Sequence, residues 1–178
     1  LVVPGASFGE YEWGRTFNEP LQPLVDQPWA VRDLIPLGSV GAVRLLDGVE
    51  ELFTSGRSSP ALAPYLARAG VRYVVARNDL DVRRVTASRP LVVRSVLAGS
   101  PGLERVAAFG PEVDPPGLTT RLVPGLDEAN DETLRAVEIY EVAPDARRVT
   151  TYPTAGTRVV SGGPEALLPI EEALPLEG

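Results

Sequence analysis

The sequence predicts an α/β protein with a single mixed sheet, flanking helices and long loops rich in Pro and Gly. Three observations carry that expectation. A helical pattern closing on Gly70 runs directly into "VRYVVARND", a β-rich stretch in which Val71, Tyr73, Val74 and Val75 mark a mostly buried strand. A second helical pattern, over Val43 to Phe53, places Leu45, Leu46, Val49, Leu52 and Phe53 on one face. Further on, "RAVEIYEVA" alternates Val137, Ile139 and the following Tyr140 and Val142 as a strand does.

The remaining elements follow in chain order. Leu1-Val2-Val3 reads as a short buried strand, stopped by the turn signal Pro4-Gly5. A shaped loop follows, with Phe8, Tyr11, Trp13 and Phe17 close together, and residues 18 to 41 read as irregular, Pro/Gly-rich backbone. Gly56 is placed to end the Val43–Phe53 helix. Ser59-Pro60 offers an N-cap and a first-turn proline for the helix in "ALAPYLARAG", and Pro64, too deep for that turn, predicts a loose start that becomes regular after Ala63. A third helix is expected from Leu91 to Ala98 and a strand near Arg105 to Phe109. Pro111 to Asp131 reads as a long surface loop. "RVVSGGPEALLPI" closes the pattern as strand, Gly-Gly turn and helix start.

Composition bounds the function. A chain of 178 residues, 44% apolar, can bury one real core. With 24 acidic against 17 basic residues it lacks the positive footprint that nucleic acid or an anionic membrane surface requires. Its apolar runs fall far short of the roughly eighteen residues that span a bilayer. The first residues carry no positive n-region of a signal peptide, and the absence of an initiator Met reads as a piece of a longer polypeptide. There is no Cys, Met, His or Lys, so all 17 basic residues are Arg. Thiolate zinc sites, cysteine nucleophiles and Ser-His-Asp arrangements are thereby excluded. Arg in place of every Lys, with abundant Ala, Gly, Pro and Val, fits a GC-rich genome of the actinobacterial kind.

Four features invite a chemical reading. Gly162 and Gly163 before a helix could turn backbone N–H groups toward a phosphate, but no Walker-type Lys exists and Pro164 removes a donor, so an ordinary strand-to-helix turn is expected. Asp79 and Asp81 follow the central strand, where two acids could hold a divalent ion or act as an acid/base pair. Their neighbours Arg77, Arg83 and Arg84 favour a salt-bridged strand end instead. Asp127, Glu128, Asp131 and Glu132 form an acidic cluster that reads as a solvated loop and does not meet the calcium-loop pattern. The aromatic opening has two readings: a loop folded onto its own core, or a sugar surface on which ring faces stack and Arg supplies planar donors. Tyr11, Trp13, Arg15, Trp29 and Arg32 are the candidate glycan contacts under the second. Neither metal nor cofactor is expected.

The blocks "PGASFGEYEWGRTFNEPLQPL", "PWAVRDLIPLG", "SPALAPYLARAGVRYVVARNDLD" and "VSGGPEALLPI", in that order, resemble one family. They are similar to the extracytoplasmic region of large actinobacterial α-(1→3)-arabinofuranosyltransferases, the D-type enzymes of the mycobacterial cell wall. The resemblance implies a multi-pass membrane glycosyltransferase of the GT-C class, with decaprenyl-phosphoryl arabinose as donor. Its implied acceptor is the arabinan of arabinogalactan or lipoarabinomannan. The acidic catalytic residue of such enzymes belongs to a loop between membrane helices that this sequence lacks, so no catalytic residue carries over. The expectation is one extracytoplasmic α/β domain over 1–178, with segment 1–41 packed on it. Its partners would be the membrane-embedded remainder of the polypeptide and an arabinan glycan, and its role structural or acceptor-guiding. The alternative is an independent α/β enzyme or ligand-binding protein handling a phosphate or sugar through Asp79 and Gly162-Gly163. The missing His, Lys and Cys favour the first.

Overall fold

The computed structural model describes residues 1–6, 9–16, 18–32, 39–113, 134–142 and 159–173. Phe8, Phe17, the acidic cluster at 127–132 and residues 114–131 of the expected surface loop lie outside them.

The elements run β1 (Val2–Val3), β2 (Gly9–Tyr11), β3 (Gly14–Thr16), α1 (Val40–Ser55), α2 (Leu62–Arg68), β4 (Tyr73–Arg77), α3 (Pro90–Gly99), β5 (Leu103–Val113) and β6 (Leu134–Val142). A 3-10 turn, Pro164–Ala166, then leads into α4 (Leu167–Ala173). The sheet is mixed, in the order β1-β4-β6-β5, with β4 parallel to β1 and antiparallel to β6. A separate antiparallel hairpin pairs β2 with β3. Residues from all four helices, β1, β4 and β6 share one apolar cluster, so the helices and the sheet close a common core.

Local chemistry explains both ends of α1. Ser39 caps α1, its hydroxyl accepting from the Ala42 amide, which starts the helix three residues before the predicted Val43. Gly56 ends it in the left-handed region at φ 66°, as predicted. Ser59 does not cap α2. It is buried, its hydroxyl accepting from the Ala61 amide and its own amide donating to Ser100 Oγ at the end of α3. The helix starts at Leu62, so Pro64 falls inside the first turn, where a missing N–H costs no helical bond, and the expected loose start is absent. Tyr65 ties three elements together by donating to the carbonyls of Leu45 (2.8 Å) and Pro164 (3.2 Å), and burial, with a smaller push from Glu165, raises its pKa to about 12. Pro164 O also accepts from the Leu167 amide, and Leu45 O lies inside a helix, so neither carbonyl is stranded in Tyr65→Phe. That substitution is expected to cost about 1 kcal/mol, seen as a fall of about 2–4 °C in the melting temperature.

The strands depart more from pattern. β4 is interior as predicted, and Val74 is 1% exposed, yet Tyr73 is 41% exposed and Val75 only half-buried. The strand is covered by the helical core on one face, so it alternates rather than being buried throughout. On the other face the Arg72 guanidinium lies over the Tyr73 ring, 5.3 Å from its centre. β6 is the predicted strand. Leu134, Ala136, Glu138, Tyr140 and Val142 are buried, while Val137 and Ile139 are half-buried. An acid can stand in the buried row because Glu138, fully buried, accepts from Arg105 (3.1 Å) and from the Tyr140 hydroxyl (3.0 Å). β5 runs on to Val113, through what was read as loop from Pro111. The β5–β6 register is interrupted between Phe109 and Glu112, and Gly110 sits there at φ 81°. Val159 and Val160, read as part of a closing strand, join no strand; Val159 is 97% exposed and has nothing to pair with among the described residues.

Candidate functional site

The aromatic opening is a hairpin whose pairs are Gly9↔Thr16, Glu10↔Arg15 and Tyr11↔Gly14. That register leaves Glu12 and Trp13 as a two-residue tip, and Gly14, at φ 153°, takes the backbone out of it. The hairpin is docked on the chain that follows β4: Glu12 N donates to Asp79 O, Asp81 N donates to Glu10 O, and Tyr11 bridges Leu80. Tyr11 is buried with Leu80 and Val85 in a small apolar cluster of its own. Trp13 stacks on it with ring centres 4.7 Å apart and planes 18° from parallel, yet stays 62% exposed. The indole N–H donates to Asp79 Oδ2 at 2.8 Å. An indole fixed at its edge and backed by a phenol presents one flat apolar face to solvent.

Arg77 locks this arrangement to the sheet. It is 5% exposed and donates to Glu19 Oε2 (2.5 Å), to the Tyr11 hydroxyl (3.3 Å) and to the Pro4 carbonyl (2.6 Å). Burial, partly opposed by Arg77, pushes the Tyr11 hydroxyl's pKa up. Of the three arginines expected to neutralise the strand-end acids, only Arg83 and Arg84 do so, both on Asp81, and hydrogen bonding from Arg83 holds that carboxyl's pKa down. Asp79 is instead Trp13's partner. Its Oδ1 is enclosed and has no hydrogen-bond partner among the described residues.

The predicted contacts do not form one surface. Tyr11 and Trp13 stand together. Arg15 pairs with Glu10 directly across the hairpin (2.9 Å), one residue out of phase with Tyr11 and therefore on the opposite face. Trp29 is half-buried in the following segment. Arg32 is bound to Asp47 of α1 (2.6 Å) and lines a cavity of about 510 Å³ to which neither tryptophan contributes. Over Gly163 the space is filled: a Cβ there would run into the Arg44 guanidinium, which is paired with Glu165. The Gly-Gly turn is thus closed by an ion pair, and no strand leads into it among the described residues. Asp79 was legible as a candidate acid, but nothing local marked it as the tryptophan's anchor.

Among the described residues no three His, Cys, Asp or Glu side chains gather as a metal site, and no helix is long and apolar enough to cross a membrane. Comparison with known proteins is decisive about kinship. A relative from Mycobacterium tuberculosis (strain ATCC 25618 / H37Rv), an alpha-(1->3)-arabinofuranosyltransferase, is 44% identical over 184 residues. One of the same name from Mycolicibacterium smegmatis (strain ATCC 700084 / mc(2)155) is 46% identical over 188. Each alignment takes in 100% of this chain but only 13% of the relative. The cryo-EM structure of arabinofuranosyltransferase AftD from Mycobacteria superposes with a TM-score of 0.81 at 42% identity, over 97% of this chain and 13% of that one. The R1389S mutant of the same enzyme gives 0.79 at 40% identity. The family model for the alpha-(1->3)-arabinofuranosyltransferase N-terminal GT-C domain matches residues 1–178, and the chain belongs to that family.

Proposed function

We propose that the chain is an extracytoplasmic α/β domain of a membrane-bound arabinofuranosyltransferase, with segment 1–41 packed on it, and that it guides the glycan acceptor without catalysing transfer itself. In this reading the whole enzyme moves arabinofuranose from decaprenyl-phosphoryl arabinose to the arabinan of arabinogalactan or lipoarabinomannan. The membrane-embedded remainder of the polypeptide supplies the chemistry. The observation that carries the guiding role is Trp13: a large indole, 62% exposed, held rigid by Tyr11 and Asp79 at a hairpin tip. Aromatic faces of that kind stack on the C–H faces of sugar rings. Immobilising the ring beforehand reduces the entropy lost on binding. Arg15, Trp29 and Arg32 are secondary contacts that a long chain of sugars would reach by leaving the tip.

The test is titration of arabinan oligosaccharides into the Trp29→Phe chain, in which fluorescence reports Trp13 alone. A dissociation constant of millimolar order is expected, equivalent to about 4 kcal/mol; tethering to the membrane enzyme would raise the effective concentration. Trp13→Ala is expected to weaken binding at least tenfold, followed by amide shifts, while stability changes by less than about 1 kcal/mol. Its small cost follows from position: the ring is largely exposed, and its exposed bond to Asp79 Oδ2 can be replaced by water. Unchanged affinity in Trp13→Ala would reduce the hairpin to packing.

A further inference from the structure

The cavity beside α1 is a different place from the hairpin tip, and we propose that it binds a single neutral sugar residue. One face of α1 provides Asp47, Glu50 and Thr54, spaced i, i+3 and i+7, with Ala6, Ala87 and Val92 as apolar wall. Arg32 closes it from the N-terminal segment, and Arg89, with the hydroxyl side chains preceding it, from the loop before α3. At about 510 Å³ its volume lies within the range of about 300–1,000 Å³ typical of small-molecule sites.

The lining selects the ligand class. Two carboxylates face two guanidiniums, and the Arg32–Asp47 pair is already made at 2.6 Å, so the walls carry no net charge to offer a phosphate or a metal ion. What they offer is a few acceptors and donors set in a mostly apolar wall. Vicinal hydroxyls, each both donor and acceptor, with a C–H face for the apolar wall, match that mixture. The site is also built in advance. Glu50 Oε1 accepts from the Gly5 amide at 2.7 Å, which fixes the carboxyl group. A Cβ at Gly5 would run into the Arg32 carbonyl, so the N-terminal segment reaches both residues only because position 5 is glycine. Burial pushes the Glu50 carboxyl's pKa up, partly countered by the Gly5 hydrogen bond. None of these residues belongs to the hairpin, so this inference does not rest on the role given to Trp13.

The experiment titrates methyl arabinofuranoside, methyl glucopyranoside and inorganic phosphate into the full 178-residue chain, followed by amide shifts. Saturable shifts confined to residues 47–54 and 86–92 with either sugar, and none with phosphate, are the expected result. Thr54→Phe fills the mouth from an exposed helix position and should abolish those shifts with the amide spectrum otherwise intact. Asp47→Asn should weaken them at least fivefold. Trp13→Ala should leave them unchanged. Absence of shifts with both sugars, shifts that survive Thr54→Phe, or equal shifts with phosphate would overturn the proposal. Loss of the cavity shifts in Trp13→Ala would overturn its independence from the hairpin.

Discussion

Val74→Asp is expected to leave the chain without a cooperative melting transition and with the circular dichroism of an unfolded polypeptide. Val74 is 1% exposed, in an interior strand paired on both sides, and it belongs to the apolar cluster shared by the sheet and the helices. A carboxylate there would sit among the cluster's apolar side chains. Burying such a charge, or protonating it to avoid the charge, costs several kcal/mol. A domain of this size is stable by only about 5–15 kcal/mol, so one such residue removes most of the margin. The neighbouring Val75→Asp is the control. Val75 is half-buried on the sheet's other face, and its Asp variant is expected to fold with reduced stability. A cooperative transition retained in Val74→Asp would mean that β4 is not the centre of the core.

Arg77→Met is expected to cost about 3–5 kcal/mol, the usual consequence of removing one partner of a buried ion pair. The methionine keeps most of the apolar stem but strips Glu19, itself largely buried, of its cation. It also leaves the Pro4 carbonyl and the Tyr11 hydroxyl without their donor. Because these three partners lie in the first nineteen residues, the loss should be felt there first. The hairpin loosens, and Trp13 emission moves to the red before the helices melt. The double variant Arg77→Met/Glu19→Leu separates charge from packing. Replacing a buried pair by apolar side chains is often neutral, so most of the stability should return in urea unfolding. If the double variant is no more stable than Arg77→Met, stranded charge is not the cause.

Legibility in the sequence followed the range of the interaction. The end of α1 at Gly56, the interior strand after Gly70, the α/β class and the family resemblance could all be read from contiguous stretches. Each is decided by residues within a turn or two of one another: a left-handed glycine, a run of β-branched residues, a 3.6-residue period. The candidate site was legible only in part. Tyr11 and Trp13 were readable as an aromatic pair, but their anchors Asp79 and Arg77 each lie 66 residues away along the chain. β6 was legible as a strand, but not the burial of Glu138 in the same row as Tyr140 and Val142. Burying the acid becomes possible only when Arg105, 33 residues away, reaches across from β5. The cavity likewise joins Gly5, Arg32, Glu50 and Arg89, four points with no common periodicity. The sequence by itself therefore determined the elements, their class and the kinship. Tertiary structure alone decided which charges could be buried and which surfaces exist, because a side chain's solvation depends on neighbours that only folding brings near.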